Sequence, residues 1–471
     1  MGRERARGVV AALLLAAVTA SLSQTIVIAV LPVLGLELAA PATGVTWVLT
    51  TFMLASAVAT PIAGRLGDMF GYRRVLVACL GFFVAGTLVC GLAAETRSLG
   101  WMVAGRALQG VAGGVFPLAF GIVRSALAPG RMPGVIALLS AMFGIGGSAG
   151  MVLAGPVADA AGTGWLFWGT LPLATAALAA TAALPRTVET SPGGSAAGPG
   201  AATRGGGRVD VGGAVLLSGA LVALLLAISQ GRAWGWGPAA VAGGCGAMAL
   251  GGFVRVQLRA AAPLVDLRLM ARRALVTTNL ATLIVGAAMF GVITLIPRFV
   301  QTPPTAGYGF GASVTEAGLV MVPIALVMLI ATPLAPRLAA RYGARLPLQA
   351  GAALAAASFL LLAAFHDRLW HVYAAGLLVG AGYGLAFASI GNLVVEAVEP
   401  HQTGVATGVN TIVRTVGGAI GAQIAAALLA TGTPAGPGAT PAESGYTTAL
   451  VVFAVLAVAA LVAASAVPGR R

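Results

Sequence analysis

Charged side chains are what this sequence has least of. Only 8% of its 471 residues are charged, whereas soluble domains carry roughly 25%, and lysine is absent, so all 27 basic residues are arginine. So few charges cannot cover a fold of this size with polar surface, and the composition excludes a water-soluble globular protein. With 59% hydrophobic residues, the sequence predicts a polytopic membrane protein whose apolar helices lie in lipid.

Cysteine and histidine are almost as scarce, with three residues of each. Cys79, Cys90 and Cys245 lie in apolar runs, which indicates small buried hydrophobes rather than disulfides or metal ligands. The sequence contains no Walker A loop and no HExxH motif. We therefore expect no enzyme activity, no cofactor and no bound metal.

Long apolar runs dominate what remains. A transmembrane helix needs about 20 mostly apolar residues, and about fourteen such runs lie near 9–34, 46–64, 75–94, 99–122, 134–158, 165–184, 211–230, 238–255, 275–298, 314–336, 346–365, 370–395, 404–430 and 446–467. We predict an all-α fold with six-helix bundles at 1–184 and 274–471 and an extra helix pair at 209–255. A flexible cytoplasmic linker at 185–208 and a second one at 256–273 join these units.

The arginines fix the predicted orientation. If the spans alternate, 21 arginines lie on the side of both termini and four on the other side, with Arg106 and Arg414 inside spans. Cytoplasmic loops carry the excess of basic residues, so both termini are predicted to be cytoplasmic. All seven tryptophans then fall near the opposite membrane interface. Because topology explains the basic charge, we expect a lipid bilayer around the chain and no nucleic acid partner.

Four stretches of the sequence combine glycines with polar or charged residues: the loop Gly64–Arg74 and the runs Arg106–Gly114, Gly146–Pro156 and Gly404–Gly418. In this order they are similar to motif A, motif B, the start of motif C and the glycine-rich thirteenth span of the major facilitator superfamily. More narrowly, they resemble its fourteen-spanner drug:proton antiporter subfamily. The resemblance implies two six-helix bundles of the major facilitator fold around a central cavity. A weaker echo of motif A at 337–345 indicates an internal repeat.

Two departures from the family pattern concern acidic residues. In the first span, Ser23 stands where the subfamily usually has an acidic residue and Ile28 where it has an amide, and Asp159 replaces a glycine of motif C. In the echo of motif A, Ala340 stands where the first copy has Asp68.

The resemblance assigns candidate roles to these residues. Motif A and a nearby arginine imply a conformational latch between the two bundles. The alternative is a set of solvated charges that only fixes the membrane topology. The latch candidates are Gly64, Asp68, Gly71, Arg73, Arg74 and Arg124. Proton coupling or a cavity role is implied for Arg106, Gln109, Asp159, Asn410 and Arg414. A structural arginine remains the alternative for Arg106 and Arg414, and a solvated interfacial acid remains the alternative for Asp159.

Two further groups complete the candidates. The motif C residues Gly146, Gly150, Gly155 and Pro156 are implied to seal one bundle against the other, although ordinary small-residue packing has the same signature. Gln24, Thr25, Phe52 and Met53 are candidates for the substrate cavity, with core packing or lipid contact as the alternative.

These features lead to a functional expectation. We expect a monomeric exporter in the cell (plasma or inner) membrane that moves small hydrophobic or amphiphilic compounds by alternating access, in exchange for protons. An uncoupled facilitator or an exporter of anionic or neutral metabolites is the alternative, and a membrane sensor on a transporter-like fold is a remote one. Because the acid of the first span is missing while Arg106 and Arg414 remain, we also expect neutral or anionic cargo.

Overall fold

A computed structural model describes residues 3–40, 42–185, 210–260, 263–430 and 440–467. Apart from Pro185, the linker predicted at 185–208 lies outside the described residues, as do the C-terminal arginines. The described residues form seventeen α-helices: α1 (Arg3–Glu37), α2 (Ala42–Phe70), α3 (Tyr72–Glu95), α4 (Leu99–Gly110), α5 (Val115–Ala126), α6 (Met132–Ala161), α7 (Gly164–Ala182), α8 (Val211–Trp234), α9 (Trp236–Arg259), α10 (Leu267–Met270), α11 (Arg273–Gln301), α12 (Val314–Ala331), α13 (Leu334–Tyr342), α14 (Arg345–Ala364), α15 (Leu369–Glu396), α16 (Thr403–Ala430) and α17 (Glu443–Ser465).

The number of membrane-spanning helices agrees with the prediction. Thirteen helical segments among the described residues are long and apolar enough to cross a bilayer, and a bent pair brings the number to fourteen. One of the thirteen joins α4 and α5 through a 3-10 turn at Val111–Gly114. The bent pair is α12 and α13, which meet at an angle of 42°. Pro333 caps α13 at this bend, and a proline cannot continue the hydrogen-bond ladder. The predicted all-α fold is confirmed.

Two groups of helices hold separate apolar cores. We call α1–α7 the N-half and α11–α17 the C-half. The N-half core includes Leu13, Phe83 and Leu118, all fully buried, and the C-half core is built around Phe359 and Phe453. Contacts between the halves run mainly through α2 with α16 and α6 with α12 and α15. These seams are where the central cavities lie.

The extra pair α8 and α9 packs on the outside of the α2–α16 seam. Leu221 and Phe253 from the pair join Val405 of α16 in one apolar cluster. Gln257 ties the base of the pair together, because it donates to Asp210 at 2.6 Å and accepts from the backbone of the segment before α10. The prediction that all three cysteines are buried is wrong for Cys245, which is exposed on α9 because this helix has a protein neighbour on only one flank.

Glycines bring α2 and α16 into close contact. A Cβ added to Gly64 would lie 2.4 Å from the backbone oxygen of Gly404, and one added to Gly404 would lie 2.4 Å from that of Gly64. Only hydrogen fits at such a distance, so the two backbones meet directly. Gly71 separates α2 from α3 with a φ of 96°, a conformation that side chains other than glycine rarely adopt. This turn places the end of α2 against α16.

Candidate functional site

Two adjoining cavities lie between the halves, in the middle of the helix bundle. The first, of about 380 Å³, is lined by Arg414 together with Phe52, Phe116 and Thr411, and we call it the arginine cavity. The second, of about 560 Å³, is the methionine cavity, lined by Met289, Phe290, Met321, Met328 and Tyr383 among others. Ser21, Gln24 and Phe143 line both.

Arg106 lies behind the arginine cavity and is fully buried. Its guanidinium donates to the backbone oxygens of Ser23 and Val48, each at 3.1 Å, and to the Gln109 side chain at 2.8 Å. The Phe52 ring covers it, with the ring centroid 4.2 Å from Cζ. Arg106 therefore ties α1 and α2 to α4 around a buried positive charge.

Arg414 crosses from the C-half into a group of phenyl rings. Its Cζ lies 3.9 Å from the centroid of Phe143 and 5.5 Å from that of Phe116, both in the N-half, and 5.6 Å from that of Phe387 in the C-half. Only 7% of the residue is exposed, and its Nε and Nη2 atoms have no hydrogen-bond partner among the described residues. Arg414 is thus a buried cation held by aromatic faces at the interface between the halves.

Asn410 lies one turn before Arg414 but bonds away from the cavities. Its amide donates to Asn279 at 2.9 Å and to Thr282 at 2.8 Å, both on α11. This network joins two helices of the same half, so the structure gives Asn410 a packing role. Of the two candidates on α16, only Arg414 lines a cavity.

Asp68 joins the two halves at the arginine-rich end of the bundle. Its carboxylate accepts from the backbone N–H groups of Gly404 and Val405 at 3.0 Å each, and from the hydroxyl of Tyr72 at 2.5 Å. The first N–H groups of a helix have no partner within the helix, and the helix dipole favours a negative charge there. Asp68 of α2 therefore caps α16 across the seam.

Arg124 makes the second connection at this end. Its guanidinium donates to the Thr403 hydroxyl at 2.9 Å and to the backbone oxygens of Val395, in the last turn of α15, and Val398, just after α15, at 2.5 and 2.7 Å. A positive charge at a helix C-terminus and a negative charge at an N-terminus both complement the helix dipoles. Asp68 and Arg124 thus join the two halves at this end of the bundle.

Sequence comparison identifies the family to which this architecture belongs. The family model described as Major Facilitator Superfamily matches residues 13–422. The chain belongs to the Major Facilitator Superfamily. The family resemblance predicted from the motifs is confirmed.

Known relatives include exporters. The Cephamycin export protein CmcT of Amycolatopsis lactamdurans is 31% identical over 81% of this chain and 76% of the relative. The Multidrug transporter protein MdtP of Bacillus subtilis is 27% identical over 77% and 64%, respectively. An uncharacterized MFS-type transporter of Mycobacterium tuberculosis is 30% identical over 84% of this chain, which spans only 55% of that relative's length.

A solved structure shares the fold. The crystal structure of the human organic anion transporter MFSD10 (TETRAN) matches with a TM-score of 0.65, covering 98% of this chain and 100% of that one. Sequence identity is 16%, so the likeness concerns the major facilitator fold alone.

The motif C glycines of this major facilitator contact their own half. A Cβ on Gly146 would lie 2.7 Å from the Val18 backbone oxygen, and one on Gly150 would lie 2.6 Å from that of Leu22, so both pack α6 against α1. Gly144, by contrast, faces Met328 of α12 in the C-half. Gly155 is buried, and Pro156 lies within α6. The predicted seal between the halves stays a prediction.

The other candidates are scattered. Thr25 donates to the backbone oxygen of Gly147 at 2.7 Å, and Gln109 donates to the Thr87 hydroxyl at 2.9 Å. Met53 is half-buried, and Asp159 is exposed near the end of α6. The remaining motif A arginines differ from each other: Arg73 donates to a backbone oxygen at the end of α7, whereas Arg74 is exposed.

Among the described residues, the second copy of motif A carries Ala340 in place of Asp68 and so has no carboxylate at this position. Ala340 lines a cleft of about 680 Å³ with Pro133, Asn392 and Glu396, at the place that corresponds to Asp68. Across that cleft Asn392 donates to the Pro133 backbone oxygen at 3.2 Å. The two copies of the sequence repeat, which differ at Asp68 and Ala340, therefore also differ in the contacts that they make.

Sequence reasoning missed several residues of the site. Phe143 and Phe387 surround Arg414, and Tyr383 lines the methionine cavity with its hydroxyl unpartnered among the described residues. Each is an aromatic residue in an apolar helix, and no local pattern distinguishes it from core. Tyr72 had a signal, because it stands four residues after Asp68, but that spacing also describes ordinary helix packing.

Proposed function

We propose that this major facilitator is a secondary active exporter of small hydrophobic or amphiphilic compounds, of the fourteen-spanner type, that works by alternating access in exchange for protons. The observation that carries the proposal is the pair of cavities between the two halves. Among the described residues, charged side chains join the two halves at one end of these cavities and not at the other. Relatives named as multidrug and cephamycin exporters support the direction and the class of cargo.

The latch residues supply the moving part of this proposal. For the cavities to open at the arginine-rich end, α16 must leave Asp68, and α15 must leave Arg124. Hydrogen bonds with one charged partner contribute about 1.5–3 kcal/mol each, so the closed arrangement is favoured by several kcal/mol that cargo or proton binding must offset. Gly64 and Gly404 let the seam close fully, because they remove the side chains that would hold the backbones apart.

The membrane setting follows from the same charges. Arg65, Arg73 and Arg131 lie at the latch end, and basic residues favour the cytoplasmic face. We place the latch and both termini in the cytoplasm of a cell whose plasma or inner membrane holds the protein as a monomer. In this orientation the described conformation is closed toward the cytoplasm, as expected after cargo has been taken up.

An uncoupled facilitator remains a second candidate, and one observation favours it. No aspartate or glutamate is among the residues that line the arginine and methionine cavities in the described part of the chain. A proton-coupled site usually holds an acid that can change charge. Asp68, at the latch, is the carboxylate best placed to respond to conformation, because its partners belong to the other half.

Transport against a gradient separates the two candidates. The purified protein is reconstituted in phosphatidylcholine liposomes, and accumulation of a fluorescent amphiphile is followed with and without an imposed pH gradient. The exporter proposal expects the internal concentration to exceed the external one only when the gradient is present. Equal concentrations under both conditions would establish the facilitator, and no movement of any amphiphile beyond protein-free liposomes would remove both.

A further inference from the structure

Arg414 has a geometry that serves more than packing. Its guanidinium lies over the Phe143 ring, with 3.9 Å between Cζ and the ring centroid. The two atoms that lack partners, Nε and Nη2, lie on one edge of the guanidinium plane. Their N–H bonds run nearly parallel, which is the fork that carboxylates and related oxyanions match with two hydrogen bonds. The cation is thus surrounded by phenyl rings, while its Nε–Nη2 edge has no hydrogen-bond partner among the described residues.

Neighbouring side chains do not supply the missing acceptor. The hydroxyls of Thr411 and Thr415 donate to backbone oxygens one turn earlier on α16, at 2.9 and 3.0 Å. No carboxylate of the described residues contacts Arg414, and none lines its cavity. A buried charge without a counter-charge costs several kcal/mol, so the site favours an anionic occupant.

The position of Arg414 is fixed before any occupant arrives. A Cβ on Gly286 of α11 would lie 2.7 Å from the Arg414 backbone oxygen, so the two helices are in direct contact there. Phenyl rings from α5, α6 and α15 hold the guanidinium. A preformed binding edge loses little freedom when it binds, and affinity increases accordingly.

The adjoining methionine cavity has a mostly apolar wall. Met289, Met321 and Met328 line it, and methionine adapts to ligands of different shape. Ser21, which lines both cavities, and Tyr383, which lines this one, are buried with hydroxyls unpartnered among the described residues. These hydroxyls provide polar contacts within an otherwise apolar wall.

We propose that the two cavities form one site for an amphiphilic monoanion, whose carboxylate or sulfonate binds the Nε–Nη2 edge of Arg414 and whose aromatic or aliphatic body fills the methionine cavity. The inference rests on the proposed export function and specifies its cargo. Arg414 belongs to the C-half whereas Phe116 and Phe143 belong to the N-half, so movement of the halves must take the guanidinium out of its phenyl rings. Binding of an anion to Arg414 is therefore coupled to the separation of the two halves.

Three probes with the same body and different heads test the proposal. They are 1-naphthylacetate, 1-naphthylacetamide and 2-(1-naphthyl)ethylammonium, titrated by calorimetry against the full chain in phosphatidylcholine nanodiscs. A charged, bidentate hydrogen-bond pair gives at least about tenfold tighter binding. We expect the acetate to bind at least about tenfold more tightly than the amide, and the ammonium to bind weakest of the three.

Variants assign the preference to one side chain. Arg414→Gln should make acetate and amide bind equally, and Arg414→Lys, which keeps the charge but not the fork, should leave an intermediate preference. Arg298→Gln, at an exposed arginine far along α11, is the matched control and should bind as the wild type does. Equal binding of acetate and amide by the wild type, a preference that survives Arg414→Gln, or tightest binding of the ammonium each overturns the proposal. The wild-type comparison decides the matter even if the glutamine variant fails to fold.

This experiment separates the site from the transport function, because binding in nanodiscs needs no transport. Preferential acetate binding without movement of amphiphiles in liposomes would keep the site and remove the export function. Gradient-driven transport without acetate preference would keep the function and remove the anion site.

Discussion

Replacing Asp68 by asparagine tests the latch with little change of shape. The carboxylate accepts from the Gly404 and Val405 amides through different oxygens and from Tyr72 at 2.5 Å. An asparagine has one oxygen for these three donors, and its NH2 group faces at least one donor that it cannot bond. The substitution also removes the negative charge from the N-terminus of α16.

The size of the effect follows from these losses. One hydrogen bond to a charged group contributes about 1.5–3 kcal/mol, and a charge at a helix terminus adds about 0.3–1 kcal/mol. A total of about 2–4 kcal/mol corresponds to a roughly 30- to 800-fold shift away from the closed latch. Transport should fall because the conformation with the closed latch, which the transport cycle requires, is less populated. The amount of protein in the membrane should stay unchanged.

Hydrogen exchange at the start of α16 measures the equilibrium between the closed and the open latch. Gly404 and Val405 lie in the first turn of α16, where amides have no partner within the helix, so Asp68 is what protects them. In Asp68→Asn, mass spectrometry of a peptide that covers the start of α16 should show exchange faster by roughly the same 30- to 800-fold.

Asp266→Asn is a matched control for this experiment. Asp266 also caps a helix, accepting from the Arg268 and Leu269 amides at 3.0 and 3.1 Å, but it does not join the two halves. Exchange at the start of α16 should be unchanged in this variant. Unchanged exchange and normal transport in Asp68→Asn would refute the latch and leave the loop as a topology signal.

Three further perturbations have defined outcomes. Gly404→Ala places a Cβ 2.4 Å from the Gly64 backbone oxygen and should weaken closure by about 1–3 kcal/mol, seen as faster exchange at the same peptide. Arg106→Met removes three hydrogen bonds from a fully buried group and should destabilise the fold by about 2–3 kcal/mol, seen as a lower melting temperature in detergent. Met328→Ala removes the thioether packed against Gly144 and enlarges the methionine cavity, so competition assays should show a relative gain for bulkier amphiphiles.

Local sequence patterns were enough for the helices and the family, because long apolar runs and short arginine-rich loops are local properties. Pro333 is also a local signal for the bend between α12 and α13. Because the apolar run from 314 to 336 continues across this proline, the run predicts one span and not two helices. Asp68 could be recognised from motif A, whereas its partners Gly404 and Val405 lie more than 330 residues later.

The orientation of each helix could not be predicted in the same way. Spanning helices are apolar on every side, so periodicity does not tell which face meets protein and which meets lipid. For that reason the sequence did not show that Gly146 packs on α1 while Gly144 faces the C-half, or that Cys245 is exposed. The rings around Arg414 come from three helices, and only the tertiary structure brings them together.

Proton flux coupled to cargo movement tests the central claim most directly. The purified protein is reconstituted in phosphatidylcholine liposomes that contain a pH-sensitive dye, with the membrane potential clamped by valinomycin and K⁺. Anionic, neutral and cationic naphthyl compounds are then added in turn. A proton-coupled exporter predicts that at least one compound raises the internal pH, as it enters, faster than it does in protein-free liposomes, which record passive permeation of the same compound. The Asp68→Asn variant should show no such excess over protein-free liposomes. Entry of the compounds with no change of internal pH would contradict the account.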